Sequence, residues 1–432
     1  MTAPQIIVLG VLLGVIAALI WGRMRSEVVA LTGAAILLVT RTIRPVEVEG
    51  AFASPAIIAL ASLFVIAYAL ELTGLLGLLI RYATRLCNRF GAAGLWIVIA
   101  LSGTASAFVN NTPIVVLAAP VIRDVAQSLG LSAKRFLIPL SYATILGGAC
   151  TLIGTSTNLL VNDMARNAGQ PVFSLFEITP VALCIALAGG IYLFALGGRL
   201  LTTPQEAAPV PLLAPMRAQS AAGDDPAIFP ADRPFQPLRA TISLLVFIGV
   251  VLAAAFSLVP IAAAAFAGAV LLIVTGTISA DDAYKGLRPE VLLLIAGMVV
   301  IGLALEVTGL AALVTSSLLT WVGSAGPFFA LVLLYGATLF LTEILSNAAV
   351  AVLVTPIAVA LAESLGVSAR PFLVAVMMAA SAAFATPFGY QTNVLVYQIG
   401  GYSYGDFVKI GVPLNLLTWL VGALVIPFFF PF

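Results

Sequence analysis

The residues able to do chemistry in this chain are amides and hydroxyls set in apolar surroundings. Gly147–Asn158 reads GGACTLIGTSTN, inside a stretch otherwise apolar from about Phe136 to Val161. Ala385–Asn393 reads ATPFGYQTN inside a second such stretch. Glycine, proline and backbone-bonding hydroxyls weaken a helix, and at mid-membrane depth a break is tolerated only where it packs in protein or lines a cavity. Such a break leaves carbonyl oxygens free at the end of the first half-helix and N–H groups free at the start of the second, a place for a cation beside an anion. Two further polar groups, Asn110-Asn111-Thr112 followed by Pro113, and Ser346-Asn347-Ala348, interrupt other apolar segments. Asn or Thr at an N-cap with proline at the first helical position marks a helix start. Each group is therefore expected at the tip of a helical hairpin, with its free N–H groups directed into the membrane interior. None of the four groups contains lysine or arginine. An anion among them must be held by helix N-termini, side-chain donors and a bound cation. Na⁺ suits carbonyl, hydroxyl and amide oxygens. The pattern points to cation–anion cotransport rather than to a channel with a charged ring.

Three acids lie in apolar surroundings, and an intramembrane acid is a functional hypothesis. Glu71 and Glu306 end matching segments, where a bond to a neighbouring helix end is the plainer role. Glu343 lies one turn before Ser346-Asn347, and its counterpart in the first half is Ala107. It is placed either to titrate during transport or to brace the hairpin. The first role admits an alternative function, a Na⁺/H⁺ antiporter or an H⁺-coupled carboxylate carrier.

The elements that position these residues are membrane spans. The chain is 62% hydrophobic and 9% charged, with a mean hydropathy of +1.16, against about 25% charged residues in soluble domains. Strands of alternating polarity are absent, which argues against a barrel. Pro4–Trp21 lacks a basic n-region and a clean cleavage site, and reads as a first span rather than a removed signal. There is no histidine, so no proton relay or metal site can use imidazole. Cys87, Cys150 and Cys184 fit no zinc or disulfide spacing. With no Ser/His, zinc or paired-aspartate constellation, the chain does not read as an enzyme.

Apolar segments at 5–22, 25–42, 56–76, 95–121, 136–165 and 178–199 make a first half, residues 1–200. Residues 201–239 follow as a linker, 202–238 holding eight prolines. The second half, 240–432, has segments at 242–259, 261–278, 290–309, 328–361, 372–398 and 411–430. It repeats the first. ALELTGL at 69–75 returns as ALEVTGL at 304–310, and SLGLSAKRF at 128–136 returns as SLGVSARPF at 364–372. Gly33, Gly154 and Asn158 map onto Gly268, Gly389 and Asn393.

Let each half make five crossings, with 95–121 and 328–361 as re-entrant hairpins and both termini outside. Then 15 of the 19 basic residues face the cytoplasm, and only Arg41, Arg44, Arg166 and Arg370 face out. That bias is strongly positive-inside, and it places the linker in the cytoplasm. An odd number of crossings inserts the halves upside down relative to each other, the inverted repeat of secondary transporters. The expected fold is thus all-α and polytopic, with one hairpin and one unwound helix per repeat. Arg81, Arg85 and Arg89, four apart, put charge on one face of an interfacial helix over 75–90. Three arginines beside a span do not make a nucleic-acid surface.

Amide tips on two hairpins, GGACTLIGTSTNLLVN at 147–162, FATPFGYQTNVLVY at 384–397 and the repeat resemble the divalent anion:sodium symporters. More broadly they resemble the ion transporter superfamily that includes citrate transporters, most closely its bacterial sulfate-type permease branch. The resemblance implies an elevator, in which hairpins and broken helices move against a scaffold that dimerises, in a plasma membrane of bacterial type. It implies one Na⁺ site at Asn111, Thr151, Gly154 and Asn158, and another at Asn347, Thr386, Gly389 and Asn393. The anion would lie between the tips, touching Asn110, Thr112, Ser346, Thr157 and Thr392, next to the tip and break asparagines. Dicarboxylate carriers of the family usually carry Ser-Asn-Thr tips and a proline before each break asparagine. Here the tips read Asn-Asn-Thr and Ser-Asn-Ala, and Thr157 and Thr392 replace the prolines. These departures count against a C4-dicarboxylate, and the expected cargo is a divalent anion, a sulfate-like oxyanion or a di- or tricarboxylate, with sulfate first. The linker is also too short for a cytoplasmic regulatory domain.

Overall fold

The computed structural model describes residues 1–21, 23–75, 78, 82, 85, 89–197, 201, 235–313 and 326–432. Most of the proline-rich linker, Cys87, most of the arginine-faced stretch 75–90 and most of its counterpart 310–326 lie outside the described residues. The described residues form helices joined by turns, with no strand among them. Seven of the helices are long and apolar enough to cross a membrane. These and the shorter apolar helices carry exposed large apolar side chains, such as Val39, Val274 and Phe428. Such faces are suited to lipid chains rather than water.

The elements follow the same order in both halves. Ala3–Trp21, Ser26–Val39 and Pro55–Leu72 are matched by Pro237–Ala255, Ile261–Val274 and Pro289–Val307. The segment at 95–121 is a hairpin of Ala92–Ser106 and Asn111–Ser128, matched by Gly326–Thr342 and Asn347–Leu365. The segment at 136–165 is two helices, Lys134–Gly148 and Ser156–Asn167, matched by Arg370–Ala380 and Gln391–Gly400. Thr179–Tyr192, ending in a π-turn, is matched by Tyr404–Phe429. Two short helices, Pro45–Phe52 and Ala280–Gly286, precede the third span of each half. Their acids, Glu47 and Glu49, Asp281 and Asp282, hide them from a hydropathy reading. Pro45 starts the first, and a Ser279–Asp282 capping box starts the second.

Packing sorts the helices into two groups. Ser26–Val39 lies on Pro289–Val307, and Pro55–Leu72 lies on Ile261–Val274, so each half supplies one member of each pair. The hairpins, half-helices and last helices form the other group. Each hairpin packs on the first half-helix of its own half, and the two last helices pack on each other. The second hairpin arm of each half also crosses to the opposite half's second half-helix: Asn347–Leu365 onto Ser156–Asn167, and Asn111–Ser128 onto Gln391–Gly400.

Between the groups the match is broken. Asn347–Leu365 packs on Pro289–Val307, whereas Asn111–Ser128 has no comparable packing on Pro55–Leu72. Pro55–Leu72 instead meets Ser156–Asn167. There Ser54 Oγ, at the N-cap of Pro55–Leu72, donates to Asp163 Oδ2 at 2.5 Å. Beside this bond a crevice of about 870 Å³ opens between Pro55–Ala59, Asn162–Arg166 and Pro260–Phe266. Ser54→Ala leaves buried Asp163 with the Arg166 guanidinium at 3.7 Å as its remaining charged partner. The substitution is expected to cost about 1–3 kcal/mol, seen as a lower unfolding temperature of the purified protein. An unchanged transition would show the bond to be incidental.

Candidate functional site

The first tip is built from its own cap. Asn110 is the N-cap, its side chain accepting from Thr112 N at 3.3 Å, and the helix begins at Asn111. Pro113 therefore stands third in the helix rather than first. It is tolerated because the first four N–H groups of any helix lack intrahelical partners. In the second tip Ser346 is the N-cap, accepting from Ala349 N at 3.4 Å. Each tip asparagine is tied to a hydroxyl five residues upstream. Ser106 Oγ donates to Asn111 Oδ1 at 2.5 Å, and Thr342 Oγ donates to Asn347 Oδ1 at 2.9 Å.

The breaks are closed by a shared device. Thr151 Oγ accepts from Gly154 N at 3.1 Å, and Thr386 Oγ accepts from Gly389 N at 3.1 Å. Asn158 Nδ2 donates to the carbonyls of Ala149 at 3.3 Å and Thr151 at 2.9 Å. Asn393 Nδ2 donates to those of Ala383 at 2.9 Å and Thr386 at 3.2 Å. The residues implied as cation ligands thus hold the unwound backbone open, each hydroxyl and amide group taking a backbone group that a continuous helix would have satisfied.

Oxygen atoms gather at the first break. Thr151 Oγ donates to the Ala107 carbonyl. A Cβ added to Gly154 would meet the carbonyl oxygens of Gly148, Ala107 at 2.8 Å and Ser106 at 2.9 Å. One added to Gly148 would lie 2.6 Å from Asn111 Oδ1. The buried Asn158 Oδ1 has no hydrogen-bond partner, although a buried amide oxygen normally has one. A cluster rich in carbonyl and amide oxygens, one of them orphaned, fits a hard monovalent cation. Among the described residues no three His, Cys, Asp or Glu side chains group together as for a transition metal.

The first tip interlocks with the second break across the halves. Asn111 Nδ2 donates to the Tyr390 hydroxyl at 2.8 Å, and Thr112 Oγ donates to Gln391 Oε1 at 3.2 Å. Ser141 Oγ, on the first half-helix of the first repeat, lies 2.8 Å from Thr392 Oγ and 2.7 Å from Asn393 Oδ1, both acceptors. Asn110, Thr112, Ser346 and Asn347 are partly exposed, whereas Thr157, Asn158, Thr392 and Asn393 are buried. Tyr390, Gln391 and Ser141 went unassigned in the sequence. Tyr390 and Gln391 sit inside the quoted ATPFGYQTN motif, but only the fold shows that they face the opposite tip. Nothing in the sequence marks Ser141.

Of the three acids, Glu306 keeps Oε2 buried without a hydrogen-bond partner. Glu343 is held through both carboxylate oxygens. Its Oε1 accepts from Phe384 N at 2.8 Å, Ala385 N at 2.7 Å and Asn415 Nδ2 at 2.7 Å, and its Oε2 accepts from Thr386 Oγ at 2.8 Å. It ties the second hairpin to the second break and to the last helix. Cys150 and Cys184 are free thiols.

Several proteins similar to this chain are named as transporters. The uncharacterized transporter YfbS of Escherichia coli is 24% identical over an alignment that covers 100% of both chains. An uncharacterized transporter of Synechocystis is 24% identical over 93% of each chain. A sodium/sulfate cotransporter of Chlamydomonas reinhardtii is 35% identical over 37% of this chain and 18% of its own length. The YdaH transporter of Alcanivorax borkumensis shares the fold, with a TM-score of 0.63 at 17% identity, covering 88% of this chain and 86% of that one. The protein is an integral membrane transporter rather than an enzyme, and, as residues 16–367 match the family model for citrate transporters, the chain belongs to the citrate transporter family.

Proposed function

We propose that the protein is a Na⁺-coupled symporter that brings a divalent anion, sulfate or a similar oxyanion, into the cell. The observation that carries this reading is the interlock of tip and break without a cationic side chain. Asn111 bonds Tyr390, Thr112 bonds Gln391, and the first break gathers acceptor oxygens around the orphaned Asn158 Oδ1. Helix N-termini at Asn111 and Asn347 supply donors and partial positive charge for an anion. Carbonyl and amide oxygens beside them supply a Na⁺ site. The naming of three Chlamydomonas relatives as sodium/sulfate cotransporters supports the choice of ions. Asn111, Thr151, Gly154 and Asn158 form one cation site, and Asn347, Thr386, Gly389 and Asn393 the second.

Transport follows an elevator. The hairpins, half-helices and last helices form the moving body, and the paired spans 26–39, 55–72, 261–274 and 289–307 form the scaffold. The halves are inverted repeats, inserted with both termini outside and the linker inside, and the chain works as a homodimer. Unequal packing of the two hairpins on the scaffold is what one end state of such a motion looks like: symmetry within each body, asymmetry between them.

Uptake of labelled sulfate into proteoliposomes, with and without an inward Na⁺ gradient, tests the reading. Accumulation is expected only with Na⁺. Uptake indifferent to both Na⁺ and H⁺ gradients would end the coupling claim, and failure of sulfate to enter or compete would move the substrate to another anion.

A further inference from the structure

We infer that Glu343 gives the second cation site a fixed negative charge that the first site lacks, so that the two halves bind Na⁺ unequally. The inference rests on the Na⁺-coupled reading above and deepens it. At the equivalent positions the first half has Ala107, which offers only its carbonyl to Thr151. Glu343 offers its carbonyl to Thr386 Oγ at 3.3 Å and adds a carboxylate. Three partners of that carboxylate, two backbone N–H groups and an amide N–H, can only donate, and the fourth, the Thr386 hydroxyl, is able to, a set that suits an ionised group. Among the described residues no lysine or arginine forms an ion pair with it. A charge within a membrane protein calls for a counter-charge.

The two carboxylate oxygens are not used alike. Oε1 takes three donors, two N–H groups of the break and the Asn415 amide, which is all that bracing the hairpin needs. Oε2 takes only the Thr386 hydroxyl, although a carboxylate oxygen has two lone pairs. It borders the space over Gly389, 3.3 Å from where a Cβ would stand. The amides differ in the complementary sense. Asn158 Oδ1 is unpartnered, while Asn393 Oδ1 already accepts from Ser141. Where the second half has lost a free amide oxygen to Ser141, it has gained Glu343 Oε2. The first site is thus built of neutral oxygens, and the second carries a carboxylate.

The test is Na⁺-dependent thermal stabilisation of the purified full-length protein in detergent, at constant ionic strength with choline as the replacement cation. Glu343→Gln keeps the size of the side chain and removes the charge. It is expected to raise the half-saturating Na⁺ concentration at least tenfold. Should it not fold, Glu343→Asp keeps the charge but shortens its reach, and a several-fold rise is expected. A wild-type Na⁺ response in whichever variant folds overturns the inference and leaves Na⁺ coupling standing. A wild-type protein that Na⁺ does not stabilise overturns the coupling itself. Loss of the Na⁺ response with folding retained supports both.

Discussion

Asn111→Ala and Asn347→Ala are each expected to abolish transport while the protein still folds. Asn111 is buried, with Oδ1 receiving the Ser106 hydroxyl and Nδ2 donating to Tyr390. Removing the amide strips the first break of an oxygen and takes away the first tip's bond to Tyr390, leaving only Thr112–Gln391 across to the second break. Asn347 Oδ1 receives Thr342 Oγ, which also bonds the Ala380 carbonyl at 2.7 Å. Each loss costs about 1–3 kcal/mol in unmet bonds. That is tolerable for folding, because the caps at Asn110 and Ser346 remain. It is not tolerable for a site whose ligands must sit within a fraction of an ångström. The measurement is proteoliposome uptake on variants shown to be monodisperse by gel filtration. Wild-type uptake rates in both would mean that the tips only turn the chain.

Gly147→Val is expected to have the largest effect on stability. The first hairpin arm, Ala92–Ser106, crosses Lys134–Gly148 with backbone against backbone. A Cβ on Gly147 would run into the Gly103 carbonyl, and one on Gly103 would lie 2.8 Å from the Ala143 carbonyl. Small residues allow such close approach between membrane helices. Overpacking costs about 1–3 kcal/mol where side chains can shift, and more where backbone blocks the way. Little monodisperse protein is expected from Gly147→Val. Gly10→Val, on an open face with nothing within 4 Å of the added carbon, is the control and should behave as wild type. Equal yields and unfolding temperatures for the two would refute the role of the crossing.

Much of the architecture was legible in the chain because its signals are local. Hydropathy picks out the long apolar helices, and the four polar groups fall at turns between helices. Asn110 and Ser346 cap helices as their residue types imply. Gly154 and Gly389 lie in unwound backbone, each with its N–H held by a threonine three residues earlier. The helices at Pro45–Phe52 and Ala280–Gly286 were missed because they are short and acidic, so a hydrophobic window passes over them. Pro113 was placed two positions too early because capping by Asn110 alone starts the helix.

The sequence by itself determined that the chain is a polytopic membrane protein, that its halves correspond, and that four polar interruptions must find partners inside. These follow from the need of backbone and amide groups in lipid to be satisfied. Only the tertiary structure decided who the partners are. Tyr390, Gln391 and Ser141 reach the opposite half through a crossing of helices far apart in sequence, which no local pattern encodes. The contrast between Ala107 and Glu343 was visible as two letters. That one supplies a lone carbonyl, and the other a carboxylate with an oxygen turned to Gly389, emerged only once the hairpin was set against the break.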